Sequence, residues 1–368
     1  MSKLHNQETV TILNEMDELN LGLQKSIESL EDIVFIKDLK GVSLEAFNLA
    51  TKHLGLENTI SVEGIGSAIK KVWKSILEFF SKIFNFFRKN EKEIEKKAEE
   101  EIKVTNELVK SPDVKNKSLP ELGVEVKIPE DMGKPLPPPV TKPAPIKTTI
   151  IKESEPPAPA VISEIEIKKV ATFYVMTNDV YRKKVVSLIS EELRKIENAL
   201  KYYKGGKIKD EDAETVRTII KSFKETTELT NARPDAGHEH SFGQDKLIEE
   251  SVKKLSGKDP LKFISEILDL AKKSSSYVRQ FERYETFIKK VNKTVNEDNG
   301  FWDEFDDAVG KRYSRNFSNY LNLIFVFISS CVKAFSGAPI VVKLGTKINK
   351  KISRDVVSIE SIPPSLNW

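Results

Sequence analysis

Apolar residues recur every three or four positions along much of the chain, the spacing that places them on one stripe of an α-helix. Leu13, Met16, Leu19, Leu23, Ile27, Leu30 and Val34 predict a helix over 10–39, with Gly41 placed to stop it. Ser43 is set to cap a second helix over 44–54, which Gly55 ends. A third stripe, Ile65, Ile69, Val72, Ile76, Phe80, Ile83 and Phe87, predicts a helix over 65–89, roughly 37 Å long. Trp73, Leu77, Phe79, Phe84 and Phe86 widen its apolar face, and Lys70, Lys71, Lys74, Lys82, Arg88 and Lys89 make the opposite face basic. Such a surface aggregates in water unless something covers it.

Beyond Asn90 the Glu/Lys-rich stretch to Lys110 reads as a solvated continuation of this helix. Then the pattern breaks. Twelve of the 17 prolines lie between Pro112 and Pro159, where missing amide hydrogens and fixed φ forbid helix and central strand. The expectation is an extended spacer over 111–160, able to span on the order of 150 Å.

Helical periodicity resumes in 161–368, a segment long enough for its own core. Residues 162–175 fit strand or helix. Leu188, Leu193, Ile196 and Leu200 form one stripe, and Val216, Ile219, Ile220 and Phe223 a second that Asp210 is placed to cap. Asp259-Pro260 signals a helix start with a capping oxygen. The apolar positions from Phe263 to Val291 then fit one long helix or two, and a last helix is expected from Phe301 to Phe335. The fold class is therefore mainly α, divided as an acidic helical module (1–60), a basic aromatic helix with a charged extension (61–110), a Pro-rich linker (111–160) and a helical domain (161–368).

Composition adds exclusions. The chain has 368 residues, 31% of them charged and 39% hydrophobic, which does not suit a polytopic membrane protein or a strongly charged disordered chain. The net charge of +3 hides segregation: residues 1–60 carry five basic and ten acidic side chains, residues 61–90 six basic and two acidic. Blocks of opposite sign suggest parts that meet one another or further copies.

Little in the sequence suits chemistry. The single cysteine, Cys331, permits no disulfide within the chain and reads as a small buried hydrophobe. His238-Glu239-His240 is the one metal-like cluster; it lies in a polar loop and lacks the helical spacing of a zinc site. No phosphate-binding glycine loop, nucleophile elbow or paired Cys-X-X-Cys is present. The expectation is a non-enzymatic protein with no catalytic, metal or cofactor-binding residues and no small-molecule substrate.

The order of features at the N-terminus resembles one family. A Leu-rich acidic helix holds Glu-Ser-Leu-Glu-Asp (Glu28 to Asp32), and a capped helix runs from Ser43 to Leu56. Ser61-Val62-Glu63-Gly64-Ile65 follows, and then Ile-Lys-Lys-Val-Trp-Lys-Ser-Ile from Ile69. Over about the first 90 residues this resembles the internal head, or prohead-core, structural proteins of large tailed bacteriophages. The resemblance implies a non-enzymatic virion protein of the head interior, made in the host cytoplasm and packed with DNA. Its implied partners are itself and other head proteins, and it leaves room for sequence-independent DNA contact, which the mild +6 of residues 161–368 without an aromatic-basic motif does not itself indicate. It also implies a processing site at Glu63-Gly64, where a maturation protease would cut after glutamate. The alternative reading of the same chain is a membrane-active helical protein. It would use the 65–89 helix at a lipid interface and the apolar segment 321–335 as an insertion element. In either reading Ile69, Val72, Trp73, Ile76, Phe80, Ile83 and Phe87 form the contact face. Residues 1–18 are polar and do not read as a signal peptide.

Overall fold

A computed structural model describes residues 64–127, 160–224, 226–234, 244–297 and 300–360. The fold is mainly α. In chain order the helices are α1 (Gly64–Lys110), α2 (Glu164–Thr177), α3 (Asp179–Leu200), α4 (Asp210–Lys221) and α5 (Thr226–Asn231). They continue as α6 (Gln244–Ser256), α7 (Pro260–Lys272), α8 (Ser274–Asn292), α9 (Phe301–Val309), α10 (Lys311–Phe335) and α11 (Ala338–Glu360). Two short strands, β1 (Val124–Val126) and β2 (Ala160–Ile162), pair in parallel, with Val124 opposite Ala160 and Val126 opposite Ile162. The predicted helices over 10–39 and 44–54 lie outside the described residues.

The chain forms two compact units that follow spatial packing rather than linear order. Unit 1 takes α1 up to Glu91, then 176–236 and 275–336. Unit 2 takes α1 from Lys92 and continues to Val175, then 237–274 and 337–368. Residues 61–110 and 161–368, separate segments on the linear reading, thus contribute jointly to both units.

Unit 1 has an aromatic core. Phe305 stacks on Phe301 and on Phe317, with ring centroids 5.2 and 5.0 Å apart, and Phe281 meets Phe335 at 5.2 Å. Two local devices set its helix ends. Asn178 caps α3, its side-chain oxygen accepting from the amides of Val180 and Tyr181 at 3.1 Å. The helix expected over 301–335 breaks at Gly310, which at φ 90° adopts a conformation that L side chains rarely take. Arg217 satisfies the carbonyls freed at the end of α9, donating to Ala308 O and Val309 O at 3.0 Å.

Unit 2 is built on α7 against α11. At Gly345 of α11 a Cβ would sit 3.1 Å from both Leu268 methyls of α7, so the glycine permits the close approach of the two helices. The 162–175 ambiguity resolves into both elements: Ile162 ends β2 and Glu164 begins α2. A capping box makes that junction, the Ser163 amide donating to Glu166 Oε2 at 2.8 Å and the Glu166 amide to Ser163 Oγ at 3.2 Å. The long apolar pattern after Asp259 divides into α7 and α8 at Lys273. Asp259 does not cap α7 with its side chain; it sits at φ 60°, and its carboxylate accepts instead from the Asn116 amide (3.0 Å) and the Lys262 ammonium (3.1 Å).

Two short paired strands flank the Pro-rich segment. Residues 124–126 and 160–162 lie side by side in unit 2, and residues 128–159 lie outside the described set.

Candidate functional site

The sequence singles out α1, and the fold treats its two halves differently. Backbone hydrogen bonding carries the helix from Gly64 through Lys110 without a break. Ile69, Val72, Trp73 and Ile76 belong to its first turns, and their side chains lie outside the described set, as does Glu63 of the proposed processing site. Gly64 opens the helix. The rest of the predicted contact face is occupied within the chain: Phe80 is 1% exposed, Ile83 0% and Phe87 2%, with Phe84 and Phe86 buried beside them.

The covering element on one side is α8, joined by polar contacts around the apolar stripe. Ser81 Oγ donates to Glu285 Oε1 at 2.5 Å, and Arg88 Nε pairs with Glu282 Oε1 at 3.2 Å. Glu91 accepts from Ser275 Oγ at 2.9 Å and from Arg279. This half of α1 is an internal core helix of unit 1.

The half from Lys92 onward buries one face, contrary to the expectation from its charge, while Lys92, Glu95, Lys96 and Glu100 stay exposed on the other. Ile94, Ala98, Glu101, Thr105 and Leu108 are buried. Their spacing of three or four makes a stripe, but two of its five members are polar, which hid it in the sequence. Each polar member is satisfied by α11. Both Glu101 carboxyl oxygens accept, one from Thr346 Oγ1 (2.7 Å) and the other from Asn349 Nδ2 (2.8 Å). Thr105 Oγ1 lies 3.1 Å from Asn349 Oδ1 and 2.7 Å from the Glu101 carbonyl. A buried carboxyl with every acceptor met fixes one register of α1 on α11.

Unit 1 holds a second buried polar cluster. Glu192 of α3 is 0% exposed and accepts from the Tyr320 hydroxyl and from Lys195 Nζ at 2.8 Å. Lys195 also donates to the Ser222 carbonyl at 3.0 Å, at the end of α4. Tyr320 stacks on Phe223 with centroids 4.2 Å apart. Burial, and then the adjacent Glu192, push the Tyr320 hydroxyl well above the usual phenol range, so it remains a donor. The arrangement joins three helices and offers no nucleophile.

The remaining candidates are placed as follows. Cys331 is buried in α10. Residues 235–243, which include His238, Glu239 and His240, lie outside the described set. Among the described residues no three His, Cys, Asp or Glu gather to hold a metal. A cavity of about 550 Å³ beside α6 is open and lined by Lys246, Glu249, Lys253 and Lys258, charged walls unlike those of a small-molecule pocket. The span Lys311–Arg354 is long and apolar enough to cross a membrane, with mean hydropathy 1.8 in its most apolar 18 residues, but 94% of that window is buried in the fold.

Compared with protein-family models, with curated proteins and with solved structures, the chain matches none.

Proposed function

We propose that this is a non-enzymatic structural protein of a tailed-phage virion, an internal head or prohead-core component that assembles through the first turns of α1. One observation supports this most: α1 is an unbroken helix from Gly64 whose aromatic stripe is already buried from Phe80 onward. The same stripe continues toward the N-terminus through Ile76, Trp73, Val72, Ile69 and Ile65. The buried half anchors the helix, and the preceding turns extend an identical apolar pattern toward a further partner. The likeness of residues 1–90 to prohead-core proteins supplies the context, with copies of itself and other head proteins as the partners. Glu63-Gly64, at the first residue of the helix, is then the processing point that would separate the acidic module from it.

Mass spectrometry of purified phage particles tests the reading. The chain is expected among the head proteins, with a new N-terminus at Gly64; absence from particles rejects the role, and an intact N-terminus rejects the cleavage alone. The membrane-active alternative would use the 65–89 helix and the apolar segment 321–335, which lies within the Lys311–Arg354 span. Co-sedimentation of the full chain with liposomes favours that alternative if binding is tight and depends on Trp73.

A further inference from the structure

Between α3 and α4 the chain reads Lys201-Tyr-Tyr-Lys-Gly-Gly-Lys-Ile-Lys209, with four lysines in nine residues. Lys204 and Lys207 exchange backbone hydrogen bonds (3.0 and 3.4 Å) as an isolated antiparallel bridge, closed by Gly205 at φ 61° and Gly206 at φ 83°. Two successive positive φ values make the tight two-residue hairpin turn that only glycine-like residues form without strain. A Cβ on either glycine would meet nothing within 4 Å, so the apex stands in open space.

Alternation along the two short arms sorts the side chains. Tyr203 and Ile208 anchor the hairpin: Tyr203 meets Phe301 edge-on at 4.7 Å, and Ile208 is 6% exposed. Lys204, Lys207 and Lys209 take the other face, and they are exposed with Lys201. Lys209 is tied to Glu211 at 3.4 Å, and Lys201 donates to Asn198 Oδ1 at 3.0 Å. Lys204 and Lys207, directly opposite each other, have no acidic partner within ion-pair distance among the described residues. The acidic groups nearest in sequence, Asp210 and Asp212, begin α4, while Asp303 and Glu304 follow Phe301 in α9. Like charges set opposite one another cost a hairpin stability, and an external polyanion removes that cost.

We infer that the 201–209 hairpin is a sequence-independent contact for the phosphate backbone of duplex DNA. Lysines act there as point charges on phosphates, and the bare glycine apex lets the backbone approach closely. The turn itself carries only lysine and glycine, Tyr203 is packed on Phe301, and the half-exposed Tyr202 lies beside Lys204 on the open face. The choice of DNA among polyanions rests partly on the virion role; the basic surface itself does not.

The test uses the full chain and random-sequence duplex DNA, with fluorescence anisotropy across a salt series. Lys201→Ala, Lys204→Ala and Lys207→Ala combined should weaken binding about tenfold or more at low salt. The steepness of the log–log salt dependence should fall by about 2 to 3, near 0.9 per lost phosphate contact. Lys246→Ala, Lys253→Ala and Lys262→Ala combined, on exposed positions of α6 and α7, should change neither. The inference fails if the wild-type chain does not bind at low salt, if the control triple loses as much, or if the hairpin triple loses only binding to phosphatidylserine vesicles. Particle composition is read separately, so DNA binding by a chain absent from virions sinks the virion role and not the hairpin.

Discussion

The two halves of α1 solve the same problem with opposite chemistry. From Phe80 to Phe87 the helix buries phenylalanine and isoleucine, a stripe that gains from area and tolerates small shifts in register. From Ile94 to Leu108 it buries Glu101 and Thr105 among fewer apolar groups, and Asn349 and Thr346 of α11 admit them at one register only. The aromatic half gains from buried apolar area, and the polar half ties the helix to one register. A helix of 47 residues needs both, because a uniform apolar stripe would slide, and a polar one would not hold.

That division can be broken by substitution. Phe84→Ala should cost unit 1 about 3–5 kcal/mol, the usual loss for a buried phenylalanine, read as a lower denaturant midpoint and faster amide exchange in α8. A loss below ~1 kcal/mol would show that the aromatic half is not core. Tyr320→Phe should cost about 1–3 kcal/mol, because it removes one donor from a fully buried Glu192; chemical denaturation measures it. Glu101→Ala should cost a similar ~1–3 kcal/mol by removing the carboxylate that Thr346 and Asn349 bond, leaving them only the Val342 and residue-101 carbonyls. Its distinguishing mark is specificity: exchange protection in 94–108 should fall while that of 80–87 stays, and uniform loss in both would contradict the division.

A pH effect belongs to unit 2 and is smaller. Burial alone would raise the Glu166 carboxyl, but the Ser163 amide and hydroxyl and the Lys347 ammonium outweigh it and hold the pKa below the ordinary glutamate value of 4.5. The stability from this depressed pKa is present above about pH 4.5 and is lost as pH falls through the folded value. Glu166→Gln should therefore flatten the acid side of the stability curve below about pH 4.5 and leave the slope above pH 6 unchanged. Arg88→Ala, which removes a half-exposed pair with Glu282, should cost only ~0–1 kcal/mol.

Much of the helical framework was legible because long apolar stripes announce themselves. The stripe of the 65–89 helix, the Asn90–Lys110 continuation and the break signal at Asp259-Pro260 all correspond to helix or helix start. The misreadings have specific causes. Glu101 and Thr105 made a buried face look solvated, since pairing with Asn349 is a property of two distant segments. Gly310 splits 301–335 through a backbone angle that residue spacing does not reveal. The β1–β2 pair is built from strands of three residues, too short for periodicity to show. The Ser163-X-X-Glu166 capping box and the Lys204-Gly-Gly-Lys207 turn did carry local signals, a spacing of three and a glycine pair between lysines. Of the contact face, the spacing showed which residues share a stripe, while burial of Phe80, Ile83 and Phe87 shows that part of it serves the chain itself.

Assembly through the first turns of α1 requires that they join one copy to another. Sedimentation velocity of the full chain over a hundredfold concentration range, beside a Val72→Glu, Trp73→Glu, Ile76→Glu variant, measures this directly. Concentration-dependent oligomers are expected for the wild-type chain and a folded monomer for the variant. A wild-type chain that stays monomeric throughout, or a variant that assembles equally well, would contradict it.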